Sequence, residues 1–180
     1  MHRLFVALRP PAEMRAQLLG LMGGVPGARW QSDDQLHLTL RFIGEVDRHA
    51  AADIGAALGM IHHPRFTLSL GRIGQFDKRG RIDSLWIGVT PQPAVEGLKR
   101  KVDQALLRVG VEPERRAYLP HITLARFSRS PGDIGDFAAR SGQLAALTFP
   151  VDHFLLYESH LATDGAAYVP LARFPLDPTR

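Results

Sequence analysis

The sequence repeats one tetrapeptide, first as His37-Leu38-Thr39-Leu40 and again as His121-Ile122-Thr123-Leu124. In both copies polar and apolar residues alternate, which is typical of a strand with one face on a core. Because residues i and i+2 of a strand share a face, the His and Thr of each copy project together. An apolar strand precedes each copy at nearly the same distance, Leu4–Leu8 in one case and Leu85–Val89 in the other. The two matched pairs predict an internal duplication.

The segments between these strands alternate helical and extended patterns. Apolar residues recur at helical spacing after Pro10-Pro11, after Asp47, which can cap a helix, and between Val95 and Val109. The predicted strands are Leu4–Leu8, Leu36–Ile43, Phe66–Leu70, Leu85–Val89, His121–Ala125, Thr148–Tyr157 and Tyr168–Phe174, with a short helix over Asp133–Arg140. The order strand–helix–strand–helix–strand therefore occurs twice.

This order predicts an α+β fold with two lobes related by a pseudo-twofold axis. We expect mixed or antiparallel sheet in the lobes, helices outside, and a central cleft where the two tetrapeptides face each other. No low-complexity linker separates the halves, so residues 1–180 are predicted to form a single bilobal domain, with repeats at about 1–80 and 81–180.

The composition is that of a globular domain, with 180 residues, 45% hydrophobic and 22% charged. The absence of cysteine excludes thiol catalysis, disulfides and thiolate metal sites. No apolar run is long enough for a signal peptide or a membrane span. We therefore expect a cytoplasmic protein that does not bind membranes, and a monomer.

The formal net charge of +4 favours an anionic partner. The cations are concentrated in two stretches, one with Arg72, Lys78, Arg79 and Arg81, the other with Arg115, Arg116, Arg126 and Arg129. Taken singly, such stretches are more often solvated surface than binding sites.

Two imidazoles and two hydroxyls facing one cleft are suited to phosphate chemistry. Imidazole exchanges protons near neutral pH, and a Thr hydroxyl can donate a hydrogen bond to a phosphate oxygen. A single such pair is equally typical of a packed strand, but two matched copies are not expected by chance. Zinc would need a third protein ligand, and neither His62-His63 nor His153 or His160 has suitable spacing. The sequence also lacks a Gly-x-Ser-x-Gly elbow and a glycine-rich phosphate loop.

These motifs resemble those of the RNA 2′,3′-cyclic phosphodiesterases, also called 2′-5′ RNA ligases, in the two-histidine (2H) phosphoesterase superfamily. The resemblance extends over nearly the whole chain through Arg3–Leu8, His37–Glu45, Leu85–Val89 and Pro120–Arg126. It implies a bilobal hydrolase that needs no metal or cofactor and opens the cyclic phosphate of an RNA end to a 2′-phosphomonoester. It also implies that His37 is the proton donor and His121 the proton acceptor, an assignment that symmetry alone leaves open.

Four further residues are candidates for phosphate binding. Thr39 and Thr123 share a face with the histidines, and Arg41 has the same strand parity. Arg126 has the opposite parity to His121 and is supported by the resemblance. Phe42, Tyr118, Trp86 and Phe127 are aromatic residues that could stack on a base, although a core position is more typical.

Two other functions remain open at this point. The same motifs fit an enzyme acting on a small cyclic nucleotide, such as a cyclic phosphate of ADP-ribose. A non-catalytic RNA-binding module with this fold is disfavoured, because both histidines and both threonines are present.

Overall fold

The computed structural model describes residues 1–129, 131, 133–144, 147–162 and 165–178. The helices are α1 (Ala12–Leu21), α2 (Arg48–Gly59), α3 (Gln92–Arg108) and α4 (Gly135–Ala139), with 3₁₀ turns at Asp33–Gln35 and Arg140–Gln143. The strands are β1 (His2–Leu8), β2 (Arg29–Trp30), β3 (Leu38–Val46), β4 (Phe66–Lys78), β5 (Arg81–Thr90), β6 (His121–Arg126), β7 (Thr148–Val151), β8 (His153–Ala162) and β9 (Gly165–Pro175).

The strands form one sheet in the order β7-β4-β5-β6-β3-β1-β8-β9, with β2 paired to β6. β3 and β6 meet in the middle through the pair Leu38 and Ile122. Outward from this pair, β3-β1-β8-β9 on one side corresponds to β6-β5-β4-β7 on the other. The predicted α+β fold with two pseudo-twofold lobes is confirmed, and the pairs between these strands are antiparallel.

The two lobes do not coincide with the two halves of the chain. β4, from the first half, pairs with β5 and β7, whereas β8, from the second half, pairs with β1. The prediction of a single strand over Thr148–Tyr157 is wrong, because the chain changes lobes at Asp152. There the Asp152 carbonyl accepts a hydrogen bond from the Leu176 amide (2.7 Å). Each lobe therefore contains strands from both halves of the chain, so neither half forms a lobe alone.

Alternate side chains of β1 face opposite sides of the sheet, one towards the core and the other towards the cleft. Leu4, Val6 and Leu8 are buried in the main core together with helical residues such as Leu18 of α1 and Ile54 of α2. Phe5 faces the other side and belongs to a separate apolar cluster with Tyr157. The helices therefore cover one face of the sheet, and the opposite face is left for the site.

Local signals account for the helices. The Asp47 carboxylate accepts a hydrogen bond from the Ala50 amide (2.8 Å), so the predicted N-cap of α2 is confirmed. On α3, buried residues recur at helical spacing, from Val95 through Leu98 to Val102. Among the described helices, none is long and apolar enough to cross a membrane.

Candidate active site

The two His-x-Thr motifs lie side by side in the middle of the sheet. His37 immediately precedes β3, and His121 is the first residue of β6. Because Leu38 pairs with Ile122, the two histidines start adjacent strands. Both of them, with Thr39 and Thr123, line one open cleft of about 670 Å³. The structure thus brings together the four residues that the repeated tetrapeptides predicted to share a site.

Both imidazoles are oriented by the backbone in the same way. His37 Nδ1 lies 2.7 Å from the carbonyl oxygen of Gln35, and His121 Nδ1 lies 2.7 Å from that of Leu119. A carbonyl can only accept a hydrogen bond, so Nδ1 carries the proton in each ring. Nε2 is then the atom of each histidine that can exchange a proton with a ligand.

Aromatic rings enclose both histidines, but His37 more closely. The His37 ring lies 5.0 Å from those of Phe5 and Tyr168, centroid to centroid. The His121 ring lies 4.9 Å from that of Phe76 and 5.8 Å from that of Trp86. These contacts fix the planes of both imidazoles.

This burial disfavours the charged form of both rings. Desolvation, together with the positive charges of Arg126 and a protonated His121, lowers the pKa of His37 to about 4, although the hydrogen bond to Gln35 opposes the shift. Desolvation also lowers the pKa of His121, with Arg126 contributing, although the hydrogen bond to Leu119 opposes the shift. Burial therefore favours the neutral form of both histidines at pH 7.

A β-bulge in β3 and another in β6 determine which arginine side chain lines the cleft. The pairing of β1 with β3 skips Leu40, and the pairing of β5 with β6 skips Leu124 at the equivalent position. A bulge reverses the parity of the residues that follow it. Arg126 therefore lines the cleft despite its odd spacing from Thr123, and it lies on the His121 side.

The same rule makes the predicted cleft position of Arg41 wrong. The bulge turns Arg41 away from the cleft, and its side chain is only 5% exposed. Its guanidinium donates to the carboxylate of Asp103 on α3 (3.3 Å) and to the Glu112 carbonyl. Arg41 therefore connects β3 to α3 and to the segment that follows α3, and it does not line the cleft.

Sequence reasoning missed several lining residues. Gln31 and Ser84 are buried polar residues on the cleft wall, and Tyr168 of β9 and Phe76 of β4 come from strands distant in sequence. No pattern in the sequence marks them, because their position depends on how the lobes exchange strands. Of the four aromatic candidates, Phe42 and Tyr118 line the cleft, Trp86 contacts His121, and Phe127 lies in a neighbouring cavity.

Charge in the cleft is mixed. Lys78, Arg116 and Arg126 line it together with three carboxylates, Asp77, Asp83 and Glu114. Within the described ranges, no group of three or more His, Asp or Glu side chains is arranged to hold a metal ion.

The fold and the site together define a class. Two pseudo-twofold lobes, each contributing a His-x-Thr strand to one cleft, are the arrangement of a two-histidine phosphoesterase. Comparison with known proteins gives the family: the LigT-like phosphoesterase model matches residues 8–86 and again 87–168. The chain belongs to the LigT-like phosphoesterase family.

Relatives and solved structures agree with this membership. An Escherichia coli protein named RNA 2′,3′-cyclic phosphodiesterase is 32% identical over 179 residues, which is 97% of each chain. A Geobacillus stearothermophilus protein of the same name is 29% identical over 96% of this chain, which spans only 56% of that relative's length. The crystal structure of Escherichia coli LigT complexed with 3′-AMP has a TM-score of 0.78 at 31% identity, covering 97% of this chain and 98% of that one.

Proposed function

We propose that this chain is a hydrolase that opens RNA 2′,3′-cyclic phosphate ends to 2′-phosphomonoesters, without a metal or cofactor. The observation that carries the proposal is the pair of imidazoles in one cleft, each with Nδ1 fixed to a backbone carbonyl and Nε2 left for the substrate. The relatives' names supply the substrate, and the residues of this chain supply the chemistry.

The reaction needs one base and one acid. Water attacks the phosphorus while His121 Nε2 accepts its proton, and the bond from phosphorus to the ribose O3′ breaks as His37 Nε2 donates a proton to that oxygen. The product carries a 2′-phosphate and a 3′-hydroxyl. With a 5′-hydroxyl in place of water, the same transfers would make a 2′-5′ linkage, the ligase activity that the resemblance implies.

The remaining cleft residues are suited to the phosphate. Thr39 and Thr123 offer hydroxyl donors on the faces of their histidines, and Arg126 adds a positive charge. Donors already in place act on the charge that develops on the non-bridging oxygens in the transition state. Arg41 has no part in this site.

The assignment of acid and base rests on the family resemblance. Burial alone favours the reverse roles, since it lowers the pKa of His37, the proposed donor, to about 4. A bound phosphate anion raises the pKa of a nearby imidazole, so His37 gains its proton in the complex with substrate.

The working unit is proposed to be one chain. Both motifs come from the same chain, and β3 and β6 pair directly, so a monomer of residues 1–180 forms the complete cleft as one bilobal domain. Its expected location in the cytoplasm rests on the sequence.

The test is an oligoribonucleotide ending in a 2′,3′-cyclic phosphate, incubated with the protein in excess EDTA. We expect full conversion to the 2′-phosphate at an undiminished rate. The matched control is His160→Ala, which removes an exposed histidine outside the cleft and should be fully active. Loss of activity in EDTA that zinc or manganese restores would overturn the metal-independent mechanism.

A further inference from the structure

A second cavity adjoins the cleft at the tip of the β4–β5 hairpin. It has a volume of about 260 Å³ and shares Lys78 and Asp83 with the cleft, so the two spaces are neighbours. Its walls are the hairpin on one side and the segment that follows β6, through Ser128 and Arg129, on the other.

The cavity is strongly cationic. Four exposed cations line it, Lys78, Arg79, Arg81 and Arg129, against the single carboxylate of Asp83. In the part of the chain that the structure describes, none of the four forms an ion pair, whereas Arg9, Arg15 and Arg41 each do.

The positions of these charges destabilise the β4–β5 hairpin. Lys78 and Arg81 are directly opposed across the two strands, and like charges in such a pair repel. Arg79 lies between them in the turn with a φ of 53°, a region that a residue with a side chain seldom adopts. An anion bound among the three cations would remove this repulsion.

The opposite wall continues the strand that carries the catalytic motif. Arg126 lines the cleft and pairs with Ser84, and beyond it the Phe127 amide donates to the Asp83 carbonyl (2.9 Å). This hydrogen bond keeps the chain alongside β5, and the bend at Ser128 and Arg129 that follows places Arg129 on the cavity wall.

We propose that this cavity binds the phosphodiester backbone of the RNA substrate on the 5′ side of its cyclic end. The proposal rests on the function proposed above, and it names a chain of nucleotides as the preferred substrate. A 2′,3′-cyclic phosphate occupies the 3′ end of an RNA, so every other nucleotide lies on its 5′ side. With the cyclic phosphate between the histidines, the preceding phosphates pass Lys78, which lines both spaces, and meet Arg79, Arg81 and Arg129.

The test compares one pair of substrates in two double variants. Arg81→Gln with Arg129→Gln removes two charges from the cavity, and Arg100→Gln with Lys101→Gln removes two exposed charges from α3 as the matched control. For an oligoribonucleotide with a cyclic end, kcat/KM should fall at least about 10-fold in the cavity variant only. For a 2′,3′-cyclic mononucleotide, kcat/KM should stay within about 2-fold in both variants.

Salt dependence gives an independent measure. Each phosphate contact to a single strand contributes about 0.7 to the slope of log affinity against log salt. Fluorescence anisotropy of a labelled oligoribonucleotide that ends in a 2′-phosphate should therefore show a slope shallower by about 1.4 in the cavity variant.

The outcomes separate the two proposals. Equal losses on both substrates, or an unchanged oligonucleotide slope and kcat/KM, would overturn the second site while leaving the phosphodiesterase proposal intact. Failure of the unmodified protein to hydrolyse either substrate would overturn the proposed activity. The anisotropy measurement would then still decide whether the cavity binds RNA.

Discussion

β3 and β6, the strands that carry the two His-x-Thr motifs, are alike up to a bulge and differ after it. Each has a His, a Thr two residues later, and a bulge at the next residue, Leu40 in β3 and Leu124 in β6. After the bulge, the residue that faces the cleft is Phe42 in one lobe and Arg126 in the other. The duplicated scaffold keeps the two His-x-Thr pairs symmetrical, while the position after the bulge places an aromatic ring on one side of the cleft and a guanidinium on the other.

The surroundings of the histidines show the same pattern. Phe5 of β1 and Trp86 of β5 occupy equivalent strands, and each contacts the histidine of its own lobe. His37 is also flanked by Tyr157 and Tyr168, and its pKa is lowered to about 4. The two motifs thus acquire different surroundings. Burial alone makes His37, the proposed donor, the weaker base, so its role as acid depends on the bound phosphate raising its pKa.

The largest effect is expected from removing either imidazole. His37→Ala and His121→Ala should each reduce kcat by at least about 10²-fold, the lower range of general acid–base contributions. The double variant should lose much less than the product of the two losses, because both groups serve one proton-transfer event. Circular dichroism and thermal unfolding should show that all three variants are folded. Additive losses would indicate that the histidines act in separate steps.

The pair Arg126 and Phe42 tests the asymmetry itself. Arg126→Ala should lower kcat/KM about 10- to 10²-fold and weaken inhibition by inorganic phosphate, since hydrogen bonds to charged groups contribute about 1.5–3 kcal/mol. NMR titration should also show the pKa values of both histidines rising, because Arg126 lowers both. Phe42→Ala should leave phosphate inhibition unchanged. Equal loss of phosphate inhibition in the two variants would remove the distinction between the lobes.

Arg41 should behave in the opposite way to Arg126. Arg41→Met leaves the partly exposed Asp103 with Lys99 as its remaining partner (2.6 Å), so we expect a loss of about 1–3 kcal/mol in the free energy of unfolding. Urea denaturation measures this loss, and inhibition by phosphate should not change. Arg126→Met should show the reverse, with altered inhibition and near-normal stability. Weakened phosphate inhibition in Arg41→Met would return Arg41 to the cleft.

The smallest effect concerns pH and stability. The folded pKa of His37 lies below its unfolded value of about 6.5, so the folded state binds fewer protons and loses stability as pH falls from about 6.5 towards 4. Between pH 7 and pH 5.5 this amounts to about 1 kcal/mol from His37 alone. Urea denaturation at the two pH values should show the difference shrinking in His37→Gln. The same difference in both proteins would mean that burial does not shift the pKa of His37.

The sequence was sufficient for the fold class and for the cleft position of the two His-x-Thr pairs, because strand periodicity and the repeat are local signals. It misplaced Arg41, since counting parity along β3 assumes a regular strand and the bulge at Leu40 is not visible in the residue pattern. It also joined β7 to β8, because the residues on both sides of Asp152 are extended and apolar and only their pairing partners differ. Residues such as Tyr168 enter the cleft through this exchange of strands, which no local signal encodes.

Two matching motifs are proposed to perform opposite proton transfers, and a change of leaving group distinguishes the two roles. The measurement is kcat/KM of His37→Ala and His121→Ala on the natural cyclic phosphate and on a phosphodiester whose leaving group needs no protonation. We expect the second substrate to restore much of the activity of His37→Ala, which lacks the acid, and none of that of His121→Ala, which lacks the base. Restoration of His121→Ala alone would reverse the two roles, and full activity of either variant on the natural substrate would contradict two-histidine catalysis.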